Sequence, residues 1–229
     1  MSAQSFAVAL IGCDGAGKTT VARALEERTE LRVRYLYMGV SSDSSNRQLP
    51  TTRLVHVLKR RRGAAPDTAG PPEHPVTAPP PASLPRRVRR SARATLRLLN
   101  RLAEEWYRQL LAWSYRLRGH TVVFDRHFIA DFHAADVAGR PATVSRRLHG
   151  RLLTRFYPRP DLVIFLDAPP EVLHARKGEG TPASLARRRR EYLQLAETTE
   201  HFAVVDATQP LDDVVGQVTQ LLRDFPRAR

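Results

Sequence analysis

The chain has 229 residues, enough for one large domain or two small ones, and its 42% of hydrophobic residues is ordinary for globular proteins. This composition excludes a fibrous or wholly disordered protein. The single cysteine, Cys13, excludes an intramolecular disulfide framework and suits a reducing compartment. Because no apolar run approaches the roughly 20 residues of a membrane-spanning helix, we expect a cytoplasmic protein that does not enter a membrane.

The formal net charge of +14 is concentrated in one segment. Residues 41–101 contain 13 basic and three acidic residues, which accounts for ten of the 14 excess positive charges. A uniformly basic surface would favour nucleic acid, whereas a local basic segment fits a mobile arm, a lid over an anionic substrate or a nonspecific patch. These three interpretations stay open, and nucleic acid is not the partner that we expect.

Short apolar runs alternate with helical patterns along the chain. In chain order, the pattern predicts a strand at Phe6–Ile11, a helix at Lys18–Glu30, a strand at Leu31–Met38, a long helix from about Ser91 to Gly119, a strand at His120–Phe124, helices near Ile129–Val137 and Val144–Phe156, a strand at Leu162–Leu166, helices at Pro169–Lys177 and Leu185–Glu200, a strand at Phe202–Val205 and a helix at Leu211–Leu222. Five strands that alternate with helices predict an α/β fold, a parallel sheet flanked by helices, in a single domain of residues 1–229.

A basic, proline-rich segment, residues 41–90, interrupts this alternation. Between Gly63 and Pro85 there are eight prolines in 23 residues and almost no large apolar side chains. Proline stops helices and strands, and a segment without apolar side chains forms little core. We therefore predict a disordered or extended low-complexity insert within the domain.

The long helix carries an apolar stripe. Its members recur at alternating intervals of three and four residues: Leu96, Leu99, Ala103, Trp106, Leu110, Trp113 and Leu117. This spacing places them on one face of a helix. We expect that face to be buried in the core, and the alternative is a coiled-coil surface for a partner.

The segment GCDGAGKT, residues 12–19, matches the complete phosphate-binding loop (Walker A) pattern. It follows a predicted strand and opens a predicted helix, so its backbone N–H groups can surround phosphate oxygens at the positive end of the helix dipole. The pattern assigns Lys18 to the β- and γ-phosphates of a nucleotide and Thr19 to a Mg²⁺ ion. The alternative is a tight glycine turn without a ligand.

Asp125 and Arg126 follow the third predicted strand, at the carboxyl edge where parallel sheets bind ligands. The phosphate-binding loop lies at the same edge. Asp125 can position Mg²⁺ or accept a proton, and Arg126 can hold a phosphate through two hydrogen bonds. The alternative is an ordinary surface salt bridge.

Outside the insert, the chain resembles the thymidylate kinase-like branch of the P-loop kinases. The resemblance rests on the motifs GCDGAGKTT, VVFDRH, PDLVIFLDAPPEVLHARK and VVDA, in that order. It implies a five-stranded parallel core, ATP and Mg²⁺ as cofactors, and transfer of the γ-phosphoryl group to thymidylate or a related nucleoside monophosphate. A homodimer is a possible assembly.

The resemblance also implies roles for individual residues. The catalytic residues would be Lys18, Asp125 and Arg126. The metal ion would be bound by Thr19 and Asp125. The nucleotide would contact Gly12, Asp14, Gly15, Ala16, Gly17, Lys18, Thr19, Thr20 and Arg176. Arg176 would stack on the adenine, and Asp14 would point towards the sugar of the acceptor. A lid, residues 177–190, would include Lys177 and Arg187–Arg190, cations that can neutralise charge on the transferring phosphoryl group.

The sequence departs from that family around the acceptor. No Arg-Glu-Pro-Gly-like segment follows the second strand, and FIADFHAADVAGR replaces the serine and the Ala-Tyr-Gln run expected after Asp125-Arg126. The family carries a base-contacting arginine on the long helix, and in this chain the corresponding position falls near Glu104, which is an acid. Further acids in this part of the chain are Glu105, Asp131 and Asp136. We expect the acceptor to contact Asp14, Arg126, Glu104 and Asp131.

These acids leave two alternative functions open. Carboxylates suit hydroxyl groups and repel phosphates, so the protein is alternatively a kinase for a hydroxyl of a nucleoside, sugar or other metabolite, with Asp125 or Asp131 as the base. The second alternative is a nucleotide-binding regulator with weak catalysis that uses the basic insert.

Overall fold

A computed structural model describes residues 5–38, 84–125 and 160–227. The chain divides into two compact units, a larger one of Met1–Gly39 and Leu111–Arg229 and a smaller one of Val40–Leu110. The larger unit contains the sheet, and of the smaller unit the structure describes residues 84–110. The helices predicted near Ile129–Val137 and Val144–Phe156 lie outside the described residues, as does the predicted insert up to residue 83.

Five strands form one parallel sheet. They are β1 (Ala7–Ile11), β2 (Val33–Tyr37), β3 (Thr121–Asp125), β4 (Leu162–Asp167) and β5 (Phe202–Asp206). Their order across the sheet is β2-β3-β1-β4-β5, and each neighbouring pair is parallel. The predicted parallel α/β fold is confirmed, and the strand boundaries differ from the predicted ones by at most two residues.

The register of the strands brings their carboxyl ends to one edge. Leu10 in β1 lies opposite Asp125 in β3 and opposite Ile164 in β4. Because parallel strands end at the same edge, the loop that follows β1 lies between the ends of β3 and β4. Those ends carry Asp125 and Asp167, so two carboxylates flank the loop.

The three central strands are buried along almost their whole length. Each residue of β1 and β3 is buried, and β4 is buried as far as Leu166. Such continuous apolar runs are typical of parallel strands that are covered on both faces. The edge strand β5 differs, since its Val204 side chain is 52% exposed.

Five α-helices accompany the sheet: α1 (Lys18–Glu27), α2 (Leu84–Leu117), α3 (Pro170–Lys177), α4 (Pro182–Gln194) and α5 (Leu211–Asp224). Helix α4 begins three residues before its predicted start because Thr181 and Ser184 form a capping box. The Thr181 hydroxyl accepts the Ser184 N–H, and the Ser184 hydroxyl accepts the Thr181 N–H. None of the helices in the described ranges combines the length and the hydrophobicity needed to cross a membrane.

Helix α2 begins at Leu84, seven residues before the predicted start near Ser91. The prediction of a disordered or extended insert is therefore wrong for residues 84–90. Pro85 lies in the first turn of the helix, where a proline removes no helical hydrogen bond. The arginine-rich sequence that follows it has good helix propensity.

The predicted burial of the apolar stripe on α2 is wrong. Five of its large side chains are exposed: Leu99 by 56%, Trp106 by 39%, Leu110 by 58%, Trp113 by 48% and Leu117 by 89%. Within the larger unit, the last turns of α2 bury a neighbouring face instead. Leu111, Ala112 and Tyr115 pack against a cluster from β1, β2 and β3, namely Ala7, Leu36, Val122 and Phe124. The periodicity correctly predicted the helix, but these last turns carry two apolar faces.

Candidate phosphate and metal site

The loop between β1 and α1 follows a path that requires glycine. Gly12 and Gly15 have backbone φ angles of 153° and 90°, which side chains rarely tolerate. A Cβ atom at Gly12 would lie 2.7 Å from the Leu166 carbonyl oxygen, and one at Gly15 would lie 2.7 Å from the Leu173 carbonyl oxygen. The loop backbone is therefore packed against the end of β4 and against α3.

Lys18 is folded onto the loop. Its Nζ donates hydrogen bonds to the carbonyl oxygens of Gly12 at 2.8 Å and Cys13 at 2.9 Å, and the residue is 7% exposed. Gly17 precedes the first turn of α1, and no described side chain caps that helix. The first N–H groups of a helix lack intrahelical acceptors and favour anions. The Lys18 ammonium group and the N-terminus of α1 therefore lie at the same loop, as the phosphate-binding pattern predicts.

Asp125 is held beside the first turn of α1. The Thr19 hydroxyl donates to Asp125 Oδ2 at 2.6 Å, and the Tyr35 hydroxyl approaches the same oxygen at 3.4 Å. Asp125 is fully buried, and its Oδ1 has no hydrogen-bond partner among the described residues. A buried carboxylate oxygen without a donor is costly unless something else neutralises it.

This donor set fits a magnesium ion. Mg²⁺ prefers oxygen ligands and in nucleotide sites takes one or two protein oxygens together with phosphate oxygens. Thr19 Oγ1 and Asp125 Oδ1, which no group in the described ranges contacts by a hydrogen bond, supply oxygens of that kind next to the loop. The two residues predicted to hold the metal are therefore brought together.

Tyr35 is a member of the site that the sequence did not indicate. Burial, and secondarily the negative charge of Asp125, raise the pKa of its hydroxyl far above the usual value, so it remains a protonated donor. Tyr35 lies on β2, and its hydroxyl reaches Asp125 only because β2 is the neighbour of β3. The sequence did not indicate Tyr35 because it does not show which strands are neighbours in the sheet.

Helix α4 forms one wall of the loop. The Cys13 thiol donates to the Leu185 carbonyl oxygen at 3.8 Å, and the Arg188 guanidinium donates to Asp14 at 3.3 Å. Burial raises the pKa of the Cys13 thiol to about 11. The loop is therefore in contact with the helix that carries the predicted lid arginines.

A second arginine of α4 contacts the end of β4. Arg189 Nε donates to Asp167 Oδ1 at 2.6 Å, and Arg189 Nη2 donates to Asp167 Oδ2 at 2.7 Å. This two-bonded pair raises the pKa of Arg189 further above its usual value, chiefly through the hydrogen bond. Of the predicted lid cations, Lys177 pairs with Glu179 at 3.0 Å and Arg187 with Glu191 at 3.8 Å.

Arg176 lies at the end of α3 and donates to the Ala207 carbonyl oxygen at 2.8 Å. Ala207 follows β5, so this guanidinium stands at the same carboxyl edge as the loop. Stacking of Arg176 on an adenine stays a prediction.

For three predicted acceptor residues, the structure does not test contact with an acceptor at the loop. Arg126 and Asp131 lie outside the described residues. Glu104 belongs to the smaller unit, where it pairs with Arg108 one turn along α2 at 3.8 Å. Contact of these residues with an acceptor stays a prediction, whereas Asp14 lies within the loop itself.

Substitution of Gly15 by alanine should destabilise the protein by about 1–3 kcal/mol, because alanine is strained at this φ and its Cβ would meet the Leu173 carbonyl oxygen. Gly216 in α5 provides the matched control, since a Cβ there meets nothing within 4 Å. Gly216→Ala should stabilise the protein by roughly 0.5–1 kcal/mol. Urea unfolding of both variants measures the two free energies. A Gly15→Ala protein as stable as the wild type would contradict the close packing of the loop.

The reactivity of Cys13 should rise with pH well beyond the range of an ordinary thiol. Only the thiolate reacts, and with a pKa of about 11 its fraction still grows roughly tenfold per pH unit between pH 8 and pH 10. Labelling with a thiol reagent at each pH measures this profile, with glutathione as the control and circular dichroism to verify the fold. A rate that levels off near pH 9 would mean that burial does not perturb the thiol.

Comparison with known proteins agrees with this fold. The family model described as thymidylate kinase matches residues 89–218, more than half of the chain. Among curated proteins, a probable thymidylate kinase of Archaeoglobus fulgidus is 30% identical over 114 residues, 47% of this chain and 55% of the relative. A thymidylate kinase of Burkholderia thailandensis is 31% identical over 116 residues, 46% of this chain and 55% of the relative.

The chain thus spans about half the length of the curated relatives that it matches. The family match begins beyond the phosphate-binding loop, which the sequence pattern and the structure identify independently. A glycine loop folded around Lys18, a five-stranded parallel sheet and the family match lead to one conclusion: the chain belongs to the thymidylate kinase family of P-loop kinases.

Proposed function

We propose that the protein transfers the γ-phosphoryl group of Mg-ATP to a nucleoside monophosphate, with thymidylate as the family's substrate. The observation that carries this proposal is the pairing of Thr19 with a fully buried Asp125, one oxygen of which has no partner among the described residues, beside a loop that encloses Lys18. Phosphoryl transfer requires mainly positioning and neutralisation of charge, and these groups provide both.

Each group at the loop has a defined task in this proposal. The N–H groups at the start of α1 bind phosphate oxygens, and Lys18 moves from the carbonyl oxygens of Gly12 and Cys13 to the β- and γ-phosphates. Thr19 and Asp125 hold Mg²⁺, which when bound draws charge from the phosphate oxygens. Tyr35 keeps the Asp125 carboxylate in orientation.

Glu104, one of the acids that suggest a hydroxyl acceptor, is paired with Arg108 at 3.8 Å. An acid paired with an arginine repels a phosphate less than an isolated carboxylate does, which supports a phosphorylated acceptor. The sequence argument for a hydroxyl acceptor was the presence of four acids, Glu104, Glu105, Asp131 and Asp136, together with the missing arginine segment after the second strand. No described contact favours the regulator hypothesis.

A cytoplasmic location remains part of the proposal, on the evidence of the single buried thiol.

The proposal is tested by ADP release from Mg-ATP in the presence of nucleoside monophosphates, nucleosides and simple sugars. Thymidylate or a related monophosphate should stimulate turnover into the range of about 1–100 s⁻¹ that is usual for kinases. Lys18→Ala should lower this turnover at least about 100-fold, because the positive charge that Lys18 places beside the phosphates is lost. Arg223→Ala removes a cation that is 52% exposed on α5 and serves as the control.

If only an unphosphorylated compound stimulates ADP release, the acceptor is a hydroxyl group and the proposal of a nucleoside monophosphate is wrong. Nucleotide binding without stimulation by any acceptor would support the regulator. Full activity of Lys18→Ala, with a circular dichroism spectrum like that of the wild type, would remove the loop from the mechanism.

We also propose that two copies of the chain associate through the exposed stripe of α2. Contiguous exposed apolar side chains of this size mark interaction surfaces. Leu99, Trp106 and Leu110 belong to the smaller unit, and Trp113 and Leu117 belong to the larger one. A two-fold axis would pack each set against its own copy. The formal charge of +14 on each chain opposes this association, so salt should strengthen it.

Analytical ultracentrifugation at low and high salt tests the dimer. Trp113→Glu should shift the protein to monomer, because it places a charge on the face that two copies would bury. Leu211→Glu changes a leucine that is 45% exposed at the start of α5 and should leave the dimer intact. A wild type that is monomeric at both salt concentrations would contradict the proposal.

A further inference from the structure

Two neighbouring arginines of α4 make contacts of very different kinds. Arg189 holds Asp167 through two short parallel hydrogen bonds, the geometry in which guanidinium and carboxylate interact most strongly. Arg188 holds Asp14 through one nitrogen at 3.3 Å, and its side chain is 48% exposed. An exposed pair of that kind contributes little and is easily exchanged. The Arg189 side chain is itself 39% exposed, so the two pairs differ in geometry and distance rather than in exposure, and the singly bonded Arg188–Asp14 pair is the weaker one.

Asp167 is a fixed point in the fold. It is the last residue of β4, its backbone carbonyl accepts the Ala207 N–H at 2.7 Å, and it lies opposite Asp206 of β5. A helix residue bound twice to such a point resists rotation of the helix about its axis. The pair with Arg189 therefore acts together with the buried Leu185 and Tyr192 side chains to hold the rotation of α4.

That rotation decides where Arg188 stands. Successive residues of a helix point about 100° apart, so a modest rotation of α4 would turn Arg188 from the loop to the solvent. Leu185, three residues earlier on the same face, has a buried side chain, and its backbone carbonyl oxygen accepts a hydrogen bond from the Cys13 thiol. Arg188 is thereby presented to the loop at Asp14.

We propose that Arg189 is a positioning residue: through Asp167 it fixes α4 so that Arg188 stands at the phosphate-binding loop, where Arg188 exchanges Asp14 for the phosphate groups of the nucleotide. This inference rests on the proposed function, because the ligand is the ATP that the loop binds. It divides the run of four arginines, which the sequence could not do, into one that orients the helix and one that meets the ligand.

A simpler electrostatic account makes the opposite prediction. Asp167 is a negative charge beside an anion site, so in that account its loss would strengthen ATP binding. In the positioning account its loss releases α4, Arg188 turns away and ATP binding weakens. The direction of the change on Asp167→Asn therefore decides between them.

The experiment is calorimetric titration of the full chain with Mg-ATP, for the wild type, Asp167→Asn, Arg188→Gln and the double variant. Each single variant should bind ATP about tenfold more weakly, and the double variant no more weakly than Arg188→Gln alone, because both act through Arg188. Arg223→Gln removes the cation of an exposed ion pair with Glu30, remote from the loop, and should bind like the wild type.

Arg189→Lys provides a second route to the same answer, because it keeps the positive charge and removes the two-bonded geometry. Arg189→Lys should weaken ATP binding as much as Asp167→Asn does. Combined with Arg188→Gln, it should weaken ATP binding no further than Arg188→Gln does alone. A general weakening of the fold would instead lower the melting temperature and add to the effect of Arg188→Gln. Equal or tighter ATP binding by Asp167→Asn, or additive losses in the double variant, would overturn the inference.

Failure of the proposed function gives a different pattern. A wild type that binds Mg-ATP no better than Lys18→Ala would overturn the proposed function and this inference together. A wild type that binds ATP well, with Asp167→Asn and Arg189→Lys unchanged, would overturn the inference alone.

Discussion

The packing of the phosphate-binding loop against its neighbours is the constraint on which the rest of the structure depends. At Gly12 and Gly15 the backbone lies so close to the carbonyl oxygens of Leu166 and Leu173 that only a hydrogen fits. Those carbonyls belong to β4 and α3, so the loop takes its shape from the strand beside β1 and from the helix after that strand. Its geometry is thus set by the sheet, which has the most extensively buried part of the core.

Three carboxylates stand around a site built for anions, and each is matched by a different partner. Asp14 contacts an exposed arginine, Asp167 is bound by a two-bonded arginine, and Asp125 receives two hydroxyl groups. Hydroxyl groups orient a carboxylate without cancelling its charge, whereas a guanidinium does both. The contacts of Asp125 therefore leave room for a cation, whereas guanidinium groups offset the negative charge of Asp14 and Asp167 near a phosphate.

The sequence was sufficient for features that depend on neighbours along the chain. The strands, the loop and its helix follow from local patterns, and Asp125 was recognised because it ends a strand. Tyr35 and the Asp167–Arg189 pair were not recognisable, since they depend on which strands are adjacent and on how a helix is rotated. The buried face of α2 was assigned wrongly because Leu111, Ala112 and Tyr115 form a second apolar face in its last turns. Its start was missed because Pro85 reads as a helix breaker, although it lies where a helix tolerates proline.

The position of Cys13 has a consequence for chemical durability. The only sulfhydryl of the chain lies in the loop that encloses Lys18, buried and directed at a backbone carbonyl. Peroxide attacks the thiolate form, and oxidation would place a bulky, polar sulfur group in a space that is already filled. Because burial raises the pKa of the thiol and shields it from solvent, we expect Cys13 to react with peroxide more slowly than an exposed cysteine does. Slow oxidation would then be a by-product of the same close packing that shapes the loop.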